Sequence, residues 1–142
     1  MRLLVCGRMD PSVVLDKDWI IYRGMVPHDQ IPLYLGASDL LAIPYRESAI
    51  MEMGASCKIV EYLMSGRPIV TTSTGNFISN FPVQARELGP GCCPPGDVEA
   101  LAGSLRRQLQ EQRIPSAPMG MSWTEVAAGA LSEMRGLSAG SK

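Results

Sequence analysis

At 142 residues, with 46% apolar and 19% charged side chains, the chain has the length and composition of one folded domain and not of a disordered segment. A formal net charge of −1, with only two Phe and two Trp, supplies neither the basic face nor the aromatic platform that nucleic-acid binding draws on. Four cysteines and one histidine match no zinc spacing, so no metal site is expected, and free thiols fit a reducing cytoplasm.

Gly7-Arg8-Met9-Asp10 ends the first apolar run too early for a secretory signal. Asp39 interrupts the longest apolar stretch, so no transmembrane segment is expected. Leu3 to Cys6 reads as a buried strand ending at Gly7, with Cys6 a small core residue. Trp19 to Gly24 reads as a second strand. Asp29 is expected to cap a short helix through Leu35, with Pro32 tolerated in its first turn. Asp39 to Pro44 reads as a third strand, and Tyr45 to Ala55, without a period, as a loop. A helix over Cys57–Ser65 leads into the strand Pro68–Thr72. A Gly/Asn loop, a short helix near Val83–Leu88 and a last strand at Gly91–Pro94 follow. Cys92 and Cys93 point to opposite faces of that strand, which disfavours pairing.

Asp97 is expected to cap a helix in which Val98, Leu101, Leu105 and Leu109 recur at helical spacing and mark a buried face. Pro115 and Pro118 break the chain. Ser122-Trp123-Thr124-Glu125 is a capping box. Val126, Ala127, Ala130, Leu131 and Met134 then mark a helix ending near Gly136. The expected organisation is one domain over residues 1–137 and a loose polar tail over 138–142. Strands alternate with helices, and the short β-branched strands suit a parallel sheet covered by helices, an α/β fold. Ligands bind such sheets beyond the carboxyl ends of the strands, where Gly7, Gly24, Pro44, Thr72–Gly75, Ser56 and Lys58 fall. The three-glycine dinucleotide fingerprint is absent, so an NAD or FAD site has no support.

The segment from Gly54 to Val70 carries the most chemistry. Ser56 suits an N-cap, Gly66 a left-handed helix end, and Pro68 forbids further helix. The helix start offers free N–H groups, a partial positive charge and Lys58, which together suit phosphate. Glu61, one turn further on, is placed to accept hydrogen bonds from the hydroxyls of a ribose. The same pattern also fits an ordinary junction with a solvent-exposed Lys58–Glu61 pair. Similar alternatives stand for Arg8, a phosphate contact or a solvated loop charge, and for Tyr45 and Arg46 after the third strand. His28, beside Pro27, suits the surface.

Five segments in order resemble the C-terminal, donor-binding half of GT-B-fold glycosyltransferases, the "glycosyl transferases group 1" family. They are Ile21–Val26 with the Ile31–Tyr34 helix, Ala37–Pro44, Lys58–Val70, Gly91–Asp97 and Ser122-Trp123. The resemblance implies a Rossmann-like three-layer parallel sheet with helices on both faces, one half of a GT-B fold. It implies that Glu61 holds the donor ribose, that backbone N–H groups near Ser56, Cys57 and Lys58 cradle the diphosphate, and that Gly24, Met25 and Val26 lie against the base. No metal or cofactor is implied; the nucleotide-diphosphate sugar is a substrate.

Two departures stand out. The family's first glutamate would fall at Met53, with Glu52 one place off and Glu47 further back. The upstream basic residues that hold phosphate are missing, unless Arg8 serves in part. The expected function is the donor-binding domain of a cytoplasmic hexosyltransferase, any membrane contact being left to the missing domain. The N-terminal acceptor domain is a missing partner, no catalytic residue is assigned, and the chain is expected to be inactive alone. The rival expectation is a non-enzymatic Rossmann-like interaction module that has lost donor binding.

Overall fold

A computed structural model describes residues 1–49 and 56–139, the last three as backbone only. The chain divides into two compact units, Met1–Ala37 and Ser38–Lys142.

In the first unit β1 (Leu3–Cys6) and β2 (Ile20–Gly24) pair in parallel, Leu3 opposite Ile20 and Cys6 opposite Gly24, with a slip of register between Val5 and Cys6. Their carboxyl ends are tied by Gly7 N–H donating to Gly24 O at 2.7 Å and by Tyr22 OH donating to Gly7 O at 2.9 Å. Gly24 takes a φ of 66°, a conformation that costs a side chain little only when there is none. A 3₁₀ turn (His28–Gln30) runs into α1 (Ile31–Gly36). Asp29 does not cap it: the capping positions fall to Pro27 and Gln30, neither of which bonds through its side chain. Asp29 lies inside the turn, too late to reach the first free N–H groups. Cys6 is exposed and not a core residue, because it closes β1 just past the slip.

The second unit holds a three-stranded parallel sheet in the order β3 (Leu41–Ile43), β4 (Ile69–Thr72), β5 (Cys92–Cys93). The central strand β4 is buried at all its residues, as a parallel strand covered on both faces should be. Cys93 is buried and Cys92 half-buried, the alternation read from sequence. The helices are α2 (Cys57–Met64), α3 (Gly75–Asn80), α4 (Pro82–Leu88), α5 (Val98–Glu111) and α6 (Trp123–Ala139). The architecture is parallel α/β and Rossmann-like.

Two elements differ from expectation. The Gly/Asn loop after β4 contains α3, which Thr74 caps by accepting from Phe77 N–H. Phe77 and Phe81, four residues apart, are buried with ring centroids 5.8 Å apart. In α5 the apolar spacing holds in part: Leu101 and Leu105 are half-buried. Val98 is 76% exposed and Leu109 is exposed, while Ser104 and Gln108 are buried. Gln108 explains this. Its Nε2 donates to Ile69 O at 2.8 Å and to Arg113 O at 3.1 Å, and its Oε1 accepts from Arg113 N–H at 3.1 Å. The helix therefore turns a polar clamp toward the sheet beside its half-buried Leu101 and Leu105. Gly91 makes room: a Cβ there would stand 3.0 Å from Ile69 O and 3.1 Å from Gln108 Nε2.

The end caps follow the sequence. Asp97 Oδ1 accepts from Ala100 N–H at 2.8 Å. At the start of α6, Ser122 Oγ accepts from Glu125 N–H at 3.2 Å while Glu125 Oε2 accepts from Ser122 N–H at 3.2 Å, a closed capping box. The helix runs past Gly136 to Ala139. Among the described residues no helix is long and apolar enough to cross a membrane.

Candidate functional site

The tip of α2 faces the carboxyl edge of the sheet in the second unit. Ser56 holds the N-cap position with extended φ and ψ of −81° and 114°, yet its hydroxyl makes no capping bond. It meets the hydroxyl of Tyr45 at 3.0 Å instead. Tyr45 directly follows the strand-closing Pro44, and its own carbonyl accepts from Thr72 Oγ1 at 2.7 Å, at the last residue of β4. Tyr45 is thus held at both ends, by β4 through its backbone and by the α2 tip through its ring. Lys58 Nζ stands 5.9 Å from the centroid of that ring, close enough for a cation–π contact.

The expected capping role of the Ser56 side chain is therefore corrected. Tyr45 lies within reach of the hydroxyl and takes it away from the helix. The consequence is electrostatic. Among the described residues the N–H groups of Cys57 and Lys58 meet no acceptor. An uncapped helix start carries its partial positive charge unneutralised, beside the ammonium of Lys58. Glu61 follows one turn along α2 and is half-buried. Gly66, at φ 67°, then turns the chain toward β4.

Tyr45, Ser56, Cys57, Lys58 and Glu61 are thereby gathered within one unit. Arg8, Gly24, Met25 and Val26 belong to the other unit, where Gly24 makes the turn after β2, Met25 and Arg8 are exposed and Val26 is half-buried. Glu52 and Met53 lie outside the described residues, and Glu47 is exposed. His28 is exposed, as expected.

A cavity of about 190 Å³ opens beyond the carboxyl ends of β3, β4 and β5, lined by Tyr45, Arg46 and Thr72 and by Asp97 at the start of α5. This is the edge where parallel α/β sheets take their ligands. Thr72 was expected at this edge from sequence, at the carboxyl end of its strand; Asp97 read only as a helix cap, and nothing in its spacing announces that it shares a hollow with Tyr45. Among the described residues no cluster of three His, Cys, Asp or Glu side chains is placed to hold a metal ion.

The family described as "Glycosyl transferases group 1" matches residues 1–111. The chain belongs to that family. It is also similar to a 2-deoxystreptamine glucosyltransferase of Streptomyces kanamyceticus, 29% identical over 94 residues, which is 66% of this chain and 22% of that protein. The chain thus spans about a fifth of the length of that relative. No solved structure matches it. The matched region of this group 1 glycosyl transferase includes both strands of the first unit, the α2 tip, the cavity and all of α5. Glycosyl transfer is the activity that the family's description names.

Proposed function

We propose that this chain binds the nucleoside-diphosphate sugar donor of a hexosyl transfer. The observation that carries the proposal is the α2 tip: two open backbone N–H donors, the Lys58 ammonium, and a Ser56 hydroxyl drawn aside by Tyr45. The diphosphate docks against those donors, and Glu61, one turn further, accepts from the ribose hydroxyls. When the glycosyl bond breaks, negative charge grows on the diphosphate. Fixed donors and a lysine stabilise that charge with little reorganisation and without a metal ion. Transfer itself is completed with an acceptor domain outside this chain, so the chain alone binds and does not turn over.

Titration calorimetry with UDP, GDP and ADP tests the proposal. Glu61→Ala is expected to weaken binding of the preferred nucleotide by about 1.5–3 kcal/mol, the value of a hydrogen bond to a charged group. Unchanged affinity in the variant refutes the ribose assignment. Met53, standing where the family carries a glutamate, favours the rival function of a non-enzymatic module. That alternative is upheld if none of these nucleotides or their sugar esters raises the melting temperature.

A further inference from the structure

We propose that Tyr45 is a positioning residue for the diphosphate: by holding the Ser56 hydroxyl off the start of α2, it keeps the Lys58 N–H open for the ligand. This rests on the donor-binding function above and adds what holds that site open.

Two acceptors compete for the first turn of α2. One is the ligand. The other is the helix's own N-cap residue, and serine is among the best caps. A cap hydroxyl accepts from the second or third N–H of its helix. Here the third, Ile59 N–H, already donates to Ser56 O at 3.0 Å. The donor left for a cap is Lys58 N–H, one of the two that the diphosphate takes. Thr74, Asp97 and Ser122, at the starts of α3, α5 and α6, each accept from the N–H three residues on. Ser56 has the extended φ and ψ of a cap and makes no such bond. Released, its hydroxyl would close the tip against an anion.

Tyr45 is placed to prevent this. Its hydroxyl lies 3.0 Å from Ser56 Oγ. Its N–H donates to Ile43 O at 3.0 Å, and its carbonyl accepts from Thr72 Oγ1 at 2.7 Å. The ends of β3 and β4 thus fix its backbone, so the place of the hydroxyl is set by the sheet and not by the helix it acts on. The ring is half-buried, with the Lys58 ammonium 5.9 Å from its centroid. One neutral hydrogen bond replaces another, so the fold loses little, and the amide is left to the ligand. Tyr45 acts through Ser56 and needs no contact with the nucleotide.

The test uses the full chain and Tyr45→Phe, which keeps the ring beside Lys58 and removes only the hydroxyl. In the ligand-free variant, amide exchange at Lys58 is expected to slow about fivefold as Ser56 becomes its cap. Calorimetry is expected to show affinity for the preferred of UDP, GDP and ADP falling about fivefold, the equivalent of one cap. Adding Ser56→Ala to Tyr45→Phe removes the competing hydroxyl and is expected to return both readouts to the parent's values. A double variant that binds as weakly as Tyr45→Phe refutes the positioning role, because a hydroxyl that touched the nucleotide directly, or merely supported the fold, could not be replaced in this way. Lys58 exchange unchanged in Tyr45→Phe refutes it too, while nucleotide binding by the parent keeps the donor function standing. If none of the three nucleotides binds the parent chain, donor binding fails and the positioning role with it, even where Lys58 exchange slows as expected.

Discussion

Replacing Gln108 by Met is the sharpest test of how α5 is attached. The side chain keeps its length and loses both its donors and its acceptor. Three hydrogen bonds go: Nε2 to Ile69 O at 2.8 Å, Nε2 to Arg113 O at 3.1 Å, and Arg113 N–H to Oε1 at 3.1 Å. Arg113 is exposed, so water replaces its two bonds at small cost, near the lower end of the usual 0.5–1.5 kcal/mol each. The Ile69 carbonyl opens into the core at the start of the central strand, where Gln108 itself is only 2% exposed, and its loss stands at the upper end of that range or above. The sum is about 2–3 kcal/mol. Urea unfolding followed by far-UV circular dichroism measures it, with the midpoint and slope read together. Gly91→Ala attacks the same carbonyl from the other side, since its Cβ would press on Ile69 O at 3.0 Å, and overpacking of this kind costs about 1–3 kcal/mol. Because the two changes meet at one atom, the double variant is expected to cost less than their sum. A Gln108→Met protein within about 0.5 kcal/mol of the parent, the scatter of ordinary surface changes, refutes the clamp.

Two further outcomes follow from titrating groups. Glu87 ionises below its ordinary 4.5 because Ser116 donates to it, first through its N–H at 2.7 Å and then through its hydroxyl at 2.8 Å. A lowered folded-state value means that this latch is whole above 4.5 and is lost as pH falls through the folded value. Ser116→Ala should raise the Glu87 midpoint part of the way back in a carbon-detected NMR titration; an unmoved midpoint contradicts the assignment. Burial, with Cys93 alongside, pushes the Cys92 thiol up to about 11, and burial raises Cys93 too. Iodoacetamide at pH 8 should therefore label the exposed Cys6 and Cys57 well before Cys92 and Cys93, as peptide mass mapping reports; equal rates would show that β5 opens readily.

The parts of this fold that sequence discloses are those whose cause lies within a few residues. Asp97 and Ser122 cap because the N–H groups they bind lie three residues on. Gly66 takes a positive φ where Pro68 must follow. The α2 tip is legible for the same reason, as an N-cap residue, a lysine and an acid at helical spacing. What sequence hides is set by distant partners. Gln108 is drawn inward by a carbonyl 39 residues away, so leucine spacing finds Leu101 and Leu105 but not the clamp, and it misplaces Val98 and Leu109. The Ser56 hydroxyl is claimed by Tyr45, eleven residues back, and nothing local reveals that competition. The helix α3 was hidden behind Gly75 and Asn76, although Thr74 and the Phe77–Phe81 pair carried its signature. Family membership was legible from five short segments in order, because together they trace a whole frame and not one loop.

The hydroxyl–hydroxyl bond between Tyr45 and Ser56 leaves α2 with a frayable beginning. A helix start without its cap forgoes about 1 kcal/mol. Any acceptor that settles on Cys57 and Lys58 restores that amount, so occupancy and the order of the first turn rise together. Backbone amide exchange at Cys57 and Lys58 is expected to gauge occupancy by such an acceptor, slow when the tip is filled and fast when it is bare.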